Sequence, residues 1–513
     1  MAMSDFLASD AHYSDRKEPL VSSSSTEANA HRSATLKFPD GELDTWVCLG
    51  HITDQSVRVW LRAPSLNTEM ASLAINGQQI AWAPLRPSAD HDFVDAVDIP
   101  LDRARGGCPF TVRVGVYRRE GFLPPTPHEP AAFSFAFGSC HQPFKATLDG
   151  RVVRQDQSGI YPGMRDVLSA EDARFLLLLG DQIYSDGVPN LDIRNLSGSG
   201  SLDPAHLTGY YRQLYRGYFN EAGFRSILEL VPSYMIWDDH DILDNWGSFP
   251  QPDDFERSAF AAAIEAYLEY QHLHNPSATL SDQPPFCYSF WYADVGFLVL
   301  DLRSQRDFDA GRVIGEEQWE RLESFLSEAT DCDTRTIFVM VTIPVVHFPP
   351  AAVRLLDGLP GNKGENIRDR WDSENFRLQR DRLLHTLCDW QTRGTRRQVV
   401  ILSGDVHSGA AFRVKRKHSP GKVLQWTSSP MTSPIGPGQF LANNIGTALA
   451  NWGEKEFMVT REAIQAQNNF GMVRVEPLGP GKGAGHRISF ILYKYQPSRR
   501  QVTACFRVSH LPQ

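Results

Sequence analysis

Six short, nearly continuous apolar runs recur along the chain, and almost all of them end in residues able to bind a metal. They are FSFAFGSC (133–140), RFLLLLGD (174–181), YMIWDDHD (234–241), FLVLDLR (297–303), TIFVMVTIP (336–344) and QVVILSGDVH (398–407). Runs of this length and character mark strands buried on both faces. Between them lie stretches of helical character, among them DFERSAFAAAIEAYLEYQ (254–271), GEEQWERLESFLSEA (315–329) and ENFRLQRDRLLHTLCDW (374–390). Strands alternating with helices predict an α/β fold. In open α/β sheets, ligands bind beyond the carboxyl ends of the strands.

Those ends carry Ser139-Cys140-His141, Gly180-Asp181-Gln182-Ile183-Tyr184, Asp238-Asp239-His240-Asp241, Asp301-Leu302-Arg303, His347 and Gly404-Asp405-Val406-His407. Taken singly, most have an ordinary structural explanation. An aspartate after a strand caps the next helix, a lone histidine is a core or surface residue, and a lone cysteine is a small hydrophobe. The cluster at 238–241 resists this explanation, because acids directly after an apolar strand are costly unless exposed or neutralised. Carboxylates converging on one point repel one another, so a multinuclear metal site is expected.

The rest of the chain frames this region. Residues 1–36 are polar and serine-rich and read as a disordered tail. From Lys37 the texture changes. In WVCLGHITDQSVRVWLRAP (46–64), Val57, Val59 and Leu61 share one face of a strand, and Arg58, Trp60 and Arg62 share the other. Further strand candidates at 71–77, 92–99 and 110–119 predict a small antiparallel β-sandwich over 37–128, closed by the proline-rich linker FLPPTPHEP (122–130). Residues 129–513 form the second domain, with late strands at 423–429, 470–476, 487–495 and 501–508.

Charge and cysteine usage narrow the function. Lysine and arginine total 51 against 61 aspartates and glutamates, a formal charge of −10. That balance predicts no nucleic-acid-binding surface, since phosphate contacts need a basic face. It leaves room for a phosphate substrate, because bound metals add local positive charge. The seven cysteines form no CxxC pair, which fits a reducing compartment. No apolar run reaches the roughly 18 residues of a membrane span, and the amino terminus has no secretory pattern. The expectation is a soluble, cytoplasmic protein.

FGSCHQP, LLLLGDQIYSDG, YMIWDDHDILDNWGS, LDLRSQR and ILSGDVHSG resemble the blocks of the alkaline phosphatase D-like (PhoD-like) metallophosphatases, within the calcineurin-like phosphoesterase superfamily. They occur in that family's order, and the resemblance covers roughly residues 40 to 510, GHITDQSVRVWLR included. It implies a four-layer αββα sandwich of two mixed sheets flanked by helices, with the small β-sandwich in front. It also implies roles: Cys140 and Tyr184 as iron ligands, Asp181 bridging the metals, and Asp239, Asp405 and His407 as further ligands. His240 matches the histidine that contacts the phosphate or protonates the leaving oxygen. Asn245 and His347 are looser matches. The chain departs from the superfamily where GNH becomes Asp238-Asp239-His240 and GHxH becomes Gly404-Asp405-Val406-His407. It also lacks the twin-arginine export signal of many members.

The chemistry of the donors agrees. Carboxylates suit calcium, magnesium or manganese, and a thiolate with a phenolate and an imidazole suits iron or another softer ion such as zinc. Two or more metals, iron plus calcium foremost, would activate water as hydroxide for attack on a small phosphate monoester or diester. Arg303 is expected either to stabilise charge on the phosphoryl oxygens or, equally, to form a salt bridge to Asp301 or a neighbour. His141, Asp238 and Trp371 are expected to contact substrate, and the glycine-rich LDGLPGNKGEN (356–366) to form a lid. Two competing readings are a non-catalytic scaffold and a hydrolase built on Ser139-Cys140-His141. Adjacent side chains on a strand point to opposite faces, which disfavours the second. Partner proteins are not indicated.

Overall fold

The computed structural model describes residues 36–101, 106–127, 129–146, 151–186, 193–196, 203–249, 252–357, 366–436 and 451–512. The expected tail therefore lies almost wholly outside the described residues, as does most of the expected lid. Among the described residues no helix is long and apolar enough to cross a membrane.

Seven strands come first: β1 (Trp46–Ile52), β2 (Ser56–Arg62), β3 (Glu69–Ile75), β4 (Gln78–Leu85), β5 (Val94–Pro100), β6 (Cys108–Val114) and β7 (Tyr117–Leu123). They form two antiparallel sheets, ordered β1-β2-β5 and β4-β3-β6-β7. Val47, Leu49, Val57, Val59, Leu61, Leu73, Ile99 and Val112 fill the space between them. The β3–β4 turn is Asn76-Gly77, with φ of 51° and 76°. Both residues are left-handed, as a two-residue turn matched to strand twist requires.

The other face of β1-β2-β5 is not solvent-facing. Trp46, Cys48, Trp60 and Val94 belong to the same hydrophobic cluster as the second half of the chain. The Trp60 indole N–H donates to the Glu269 carbonyl at 2.8 Å. Arg58 donates to the Leu273 carbonyl at 2.6 Å, and Arg62 to Tyr270 Oη at 3.0 Å and Asp92 at 3.1 Å. The alternation at 57–62 thus separates two buried faces. Each arginine lays its stem on apolar neighbours while its head finds buried acceptors.

The following strands are β8 (Phe133–Gly138), β9 (Phe144–Ala146), β10 (Val152–Arg154), β11 (Ala173–Leu179), β12 (Ser233–Ile236), β13 (Tyr288–Tyr292), β14 (Val295–Val299), β15 (Thr336–Met340), β16 (Gln398–Ser403), β17 (Gly409–Arg416), β18 (Lys422–Thr427), β19 (Asn451–Gly453), β20 (Phe457–Gln465), β21 (Asn469–Pro477), β22 (His486–Gln496) and β23 (Gln501–His510). Apart from the short β9–β10 hairpin, they build two mixed sheets. One has six strands, ordered β12-β11-β8-β21-β22-β23, and the other eight, ordered β13-β14-β15-β16-β18-β17-β20-β19. In the first, β12, β11 and β8 run parallel. In the second, β14, β15, β16 and β18 do.

The sheets face each other across an aromatic core. Phe135 of β8 meets Phe297 of β14 at 5.5 Å and Phe338 of β15 at 5.2 Å, both edge-on. Trp426 of β18 stacks on Phe490 of β22 at 5.3 Å. The helices Glu316–Asp331 and Arg377–Thr392 cover the opposite face of the eight-stranded sheet, where Trp319, Leu322, Leu383 and Leu387 cluster with Val339 and Ile401. The carboxyl ends of the parallel strands of both sheets therefore open toward one place.

Candidate metal centre

Backbone hydrogen bonds stitch these strand ends together. Beyond β8, Cys140 N donates to Gly180 O at 3.2 Å and His141 N to Asp181 O at 2.8 Å. Beyond β16, Asp405 N donates to Ser139 Oγ at 3.2 Å. Beyond β18, Thr432 N and Ser433 N both donate to Cys140 O. The turns are unusually tight: Cys140, Asp181, Asn245, Asp405 and His407 all have φ between 50° and 61°. Such left-handed non-glycine residues cost energy and gather where geometry serves function.

Asp241, fully buried, explains how the 180–183 turn is held. Its carboxylate accepts the backbone N–H groups of Asp181 (2.8 Å), Gln182 (3.1 Å), Ile183 (3.2 Å) and Asp238 (2.9 Å), and the Gln271 side chain at 2.9 Å. One acid of the 238–241 cluster thus shapes the site from behind. Gly180 has φ of 94°, and a Cβ there would lie 2.4 Å from Cβ of Asp238. No residue but glycine lets these two turns meet so closely.

Among the described residues, one group of acids and histidine brings its ligand atoms within 4.8 Å of one another: Asp181, Asp239 and His240. The Cys140 thiol lies 3.3 Å from Asp181 Oδ2 and the Tyr184 hydroxyl 3.4 Å from the same oxygen. Cys140 Sγ is also 3.1 Å from Ser429 Oγ. Ser429 Oγ in turn accepts the His407 backbone N–H at 3.2 Å. The Asp405 carbonyl stands 3.7 Å from the Cys140 sulfur. Cys140, Asp181, Tyr184, Asp239 and His240 are therefore gathered directly, and Asp405 and His407 join through the loop beside them.

The electrostatics are those of acids crowded away from water. Burial, then Asp239, pushes the Asp181 carboxyl well above its ordinary value. Burial, then Asp239 and Asp369, raises Asp405 to about 7. Burial, then Asp181 and Asp405, raises the Cys140 thiol. Burial, then Cys140 and Asp181, raises the Tyr184 phenol. Burial works against a charged His240, but Asp239, Asp186 and Asp181 outweigh it and push its pKa up. Burial leads the shifts of the two acids, the thiol and the phenol, and the neighbouring acidic groups add to them. Oδ1 of Asp181 and Oδ2 of Asp238 are buried without a hydrogen-bond partner. An orphaned Asp181 oxygen beside a thiol and a phenol fits one or more metal ions, whose charge would favour the ionised donors.

Four expected contacts are corrected. Arg303 does not present its guanidinium to a phosphate. It is fully buried, with Nε donating to Asp238, Nη1 to Trp246 O (3.0 Å) and Asp369 (2.7 Å), and Nη2 to Asp369 (3.0 Å). Asp238, itself buried, gives its Oδ1 to that ion pair and to the Thr342 hydroxyl at 2.9 Å. His141 is buried in an aromatic nest, stacked on Phe224 at 3.8 Å, with Nε2–H donating to the Tyr218 carbonyl and Nδ1 accepting from the Tyr161 hydroxyl. Trp371 is fully buried in the cluster behind the eight-stranded sheet. In each case an apolar or ion-paired interior claims the side chain first. His347 is likewise buried, against Phe348 and Phe412. With Cys140 turned to Asp181 and His141 to Tyr161, the Ser139-Cys140-His141 hydrolase loses its base.

Two neighbours of His240 escaped the sequence reading. Its Nδ1 lies 3.1 Å from Asp186 Oδ1, and its Nε2 lies 3.9 Å from Asp244 Oδ1. The ring stacks on Tyr184 at 4.2 Å. Both acids stand inside the quoted blocks; Asp186 pairs across 54 residues, which leaves no mark in spacing, whereas Asp244 is only four residues on from His240. Arg306, at the end of the LDLRSQR block, and Asn366 and Asp369, at and just after the end of the glycine-rich stretch, brace the site although none was singled out for it.

Comparison with known proteins bears on the fold and the family. The chain is 23% identical over 415 residues to alkaline phosphatase D of Bacillus subtilis (strain 168), covering 72% of this chain and 64% of that protein. The match thus spans less than two thirds of that relative's length. The fold matches the structure of PhoD with a TM-score of 0.59 at 16% identity, over 93% of this chain and 94% of that one. It matches purple acid phosphatase PPD1 from yellow lupin (Lupinus luteus) seeds with a TM-score of 0.55 at 12% identity, over 91% and 74%. Residues 135–478, which include every strand-end residue gathered here, match the model of the PhoD-like phosphatase family, and the chain belongs to that family.

Proposed function

We propose that the chain is a metal-dependent phosphoesterase acting on small phosphate monoesters, diesters or both. Residues 37–128 serve as its N-terminal domain and 129–513 as a catalytic domain of four-layer αββα form. The observation that carries this reading is the convergence of Asp181, Asp239 and His240 within 4.8 Å, with Cys140 and Tyr184 on the Asp181 carboxylate. Family membership supports it. Cys140, Tyr184 and Asp181 would hold the softer ion, iron by preference, and Asp181, Asp239 and Asp405 the harder one, calcium by preference, with His407 completing the set. Manganese, zinc and magnesium are the alternatives. Metal ions bound there supply the Lewis acidity that polarises the phosphoryl group and eases deprotonation of water.

The chain's own residues do the rest. Asp186 accepts the His240 Nδ1–H, which fixes the tautomer and leaves Nε2 as the working atom. Tyr184 fixes the plane of the ring. The His240 side chain keeps 20% of its surface exposed, against 6% for Asp239, so it is the member that meets an entering ester. It gives its proton to the leaving oxygen. The reading includes a cytoplasmic setting, supported by a sparse cysteine set with no CxxC pair.

Turnover of p-nitrophenyl phosphate and its bis ester, with metal content measured beside it, tests the proposal. Chelation should abolish turnover. Asp181→Asn should lose both metal and rate. His240→Ala should lose about 10²–10⁴ in rate while keeping its metal. Chelator-resistant turnover, or an Asp181→Asn protein with full metal and rate, overturns the reading.

A further inference from the structure

Asp239 is held by three directed contacts. Its Oδ1 accepts the His240 backbone N–H at 3.0 Å, its Oδ2 accepts the Asn245 N–H at 2.7 Å, and Arg303 Nη2 faces Oδ1 at 3.4 Å. A carboxylate has about four lone-pair sites, so these contacts leave it able to bind a cation. The guanidinium that faces it is itself locked from the far side. Asp369 takes Nη1 on Oδ1 at 2.7 Å and Nη2 on Oδ2 at 3.0 Å. This parallel fork fixes the plane of the guanidinium. With the plane set, Nε donates to Asp238, and Nη2 stands 3.4 Å from Asp239 Oδ1 as an ion pair.

Asp369 is prepared for that task. Its side chain is 4% exposed. The Ser248 hydroxyl donates to Oδ1, Arg306 stands 3.3 Å from the same oxygen, and Arg306 Nη2 also donates to the Asp369 carbonyl. Arg306 is in turn laid over the Phe376 ring at 4.1 Å. Such bracing exceeds what is needed to tack a surface segment down.

We propose that Asp369 is a positioning residue, which acts through Arg303 to hold Asp239 in metal-binding geometry. The inference rests on the phosphoesterase reading and adds to it a residue that touches neither metal nor substrate. A staple with no such role would affect stability alone. Loss of an outer partner of a metal ligand typically weakens metal binding about 10–100-fold.

The test is Mn²⁺ affinity of the metal-stripped full chain, read by calorimetric titration, with kcat and KM measured at limiting and saturating Mn²⁺. Asp369→Asn keeps the size and removes the charge. It should weaken Mn²⁺ binding about 10–100-fold, leave KM for the ester unchanged, and regain rate as Mn²⁺ is raised. A Kd within twofold of wild type overturns the inference, whatever the melting temperature. Should Asp369→Asn fail to fold, Ser248→Ala decides. It removes one hydrogen bond to Asp369 and should weaken Mn²⁺ binding about threefold, and an unchanged Kd overturns the inference. A wild-type chain that takes up no Mn²⁺ and cleaves no ester overturns the phosphoesterase reading too, a result distinct from a variant that matches a metal-binding wild type.

Discussion

Replacing Gly180 by alanine strikes one of the tightest approaches in the site. Two costs arise, and they can be measured apart. The first is conformational: at φ of 94° an L-residue loses roughly 1–2 kcal/mol. The second is steric. The new Cβ would stand 2.4 Å from Cβ of Asp238, well inside ordinary contact. Asp238 cannot step back freely, because Arg303 and Thr342 hold its carboxylate and Asp241 holds its backbone N–H. Overpacking of this kind costs about 1–3 kcal/mol, so the sum is about 2–5 kcal/mol. Gly77→Ala is the control, since Gly77 has φ of 76° and nothing lies within 4 Å of its Cβ position. It should show the first cost alone, about 1–2 kcal/mol. Urea midpoints with measured m values give both numbers. Because Asp238 and Asp239 are neighbours sharing Arg303, Gly180→Ala should also lose metal affinity, whereas Gly77→Ala should not. Equal destabilisation of the two variants, with metal affinity intact in both, would falsify the reasoning.

Two further outcomes test the contact between the sandwich and the rest of the chain. Trp60→Ala removes a fully buried indole lying 5.3 Å from His274 and 5.8 Å from Trp46. It should lower unfolding free energy by about 3–5 kcal/mol, and a loss near zero would show that this face is not core. Asp92 ties Arg62 to Arg216 across the same contact. Burial raises its carboxyl, but Arg216 and Arg62 outweigh burial and hold it below the ordinary value of 3.8. The stability it contributes is present above that ordinary pKa and lost as pH falls through the lower folded one. Urea midpoints measured downward from pH ~4 should therefore fall more steeply for wild type than for Asp92→Asn. Parallel curves would remove Asp92 from the account.

Much of the architecture was legible because burial on both faces writes a continuous apolar run. All six runs that opened the sequence reading became sheet strands, five of them central and parallel. The late segments at 470–476, 487–495 and 501–508 became β21, β22 and β23. The helix Pro204–Phe219 was missed, although Asp203 caps it and Leu207, Tyr211, Leu214 and Tyr218 form its buried stripe. Tyrosines, polar at one end and apolar in the body, obscured that stripe.

Cys140, Asp181, Tyr184, Asp239 and His240 could be singled out in advance because each follows a strand whose exit is forced to the same edge. That much is local pattern, and the amino-acid sequence determined it alone. Which polar side chain faces the cavity was decided only in three dimensions. Arg303 and His141 stand at equivalent strand ends and look as reactive as their neighbours, yet Asp369 claims one and Tyr161 and Tyr218 the other. A buried polar group turns to whichever partner satisfies it first, and that partner comes from segments far away in the chain, where spacing carries no record of it.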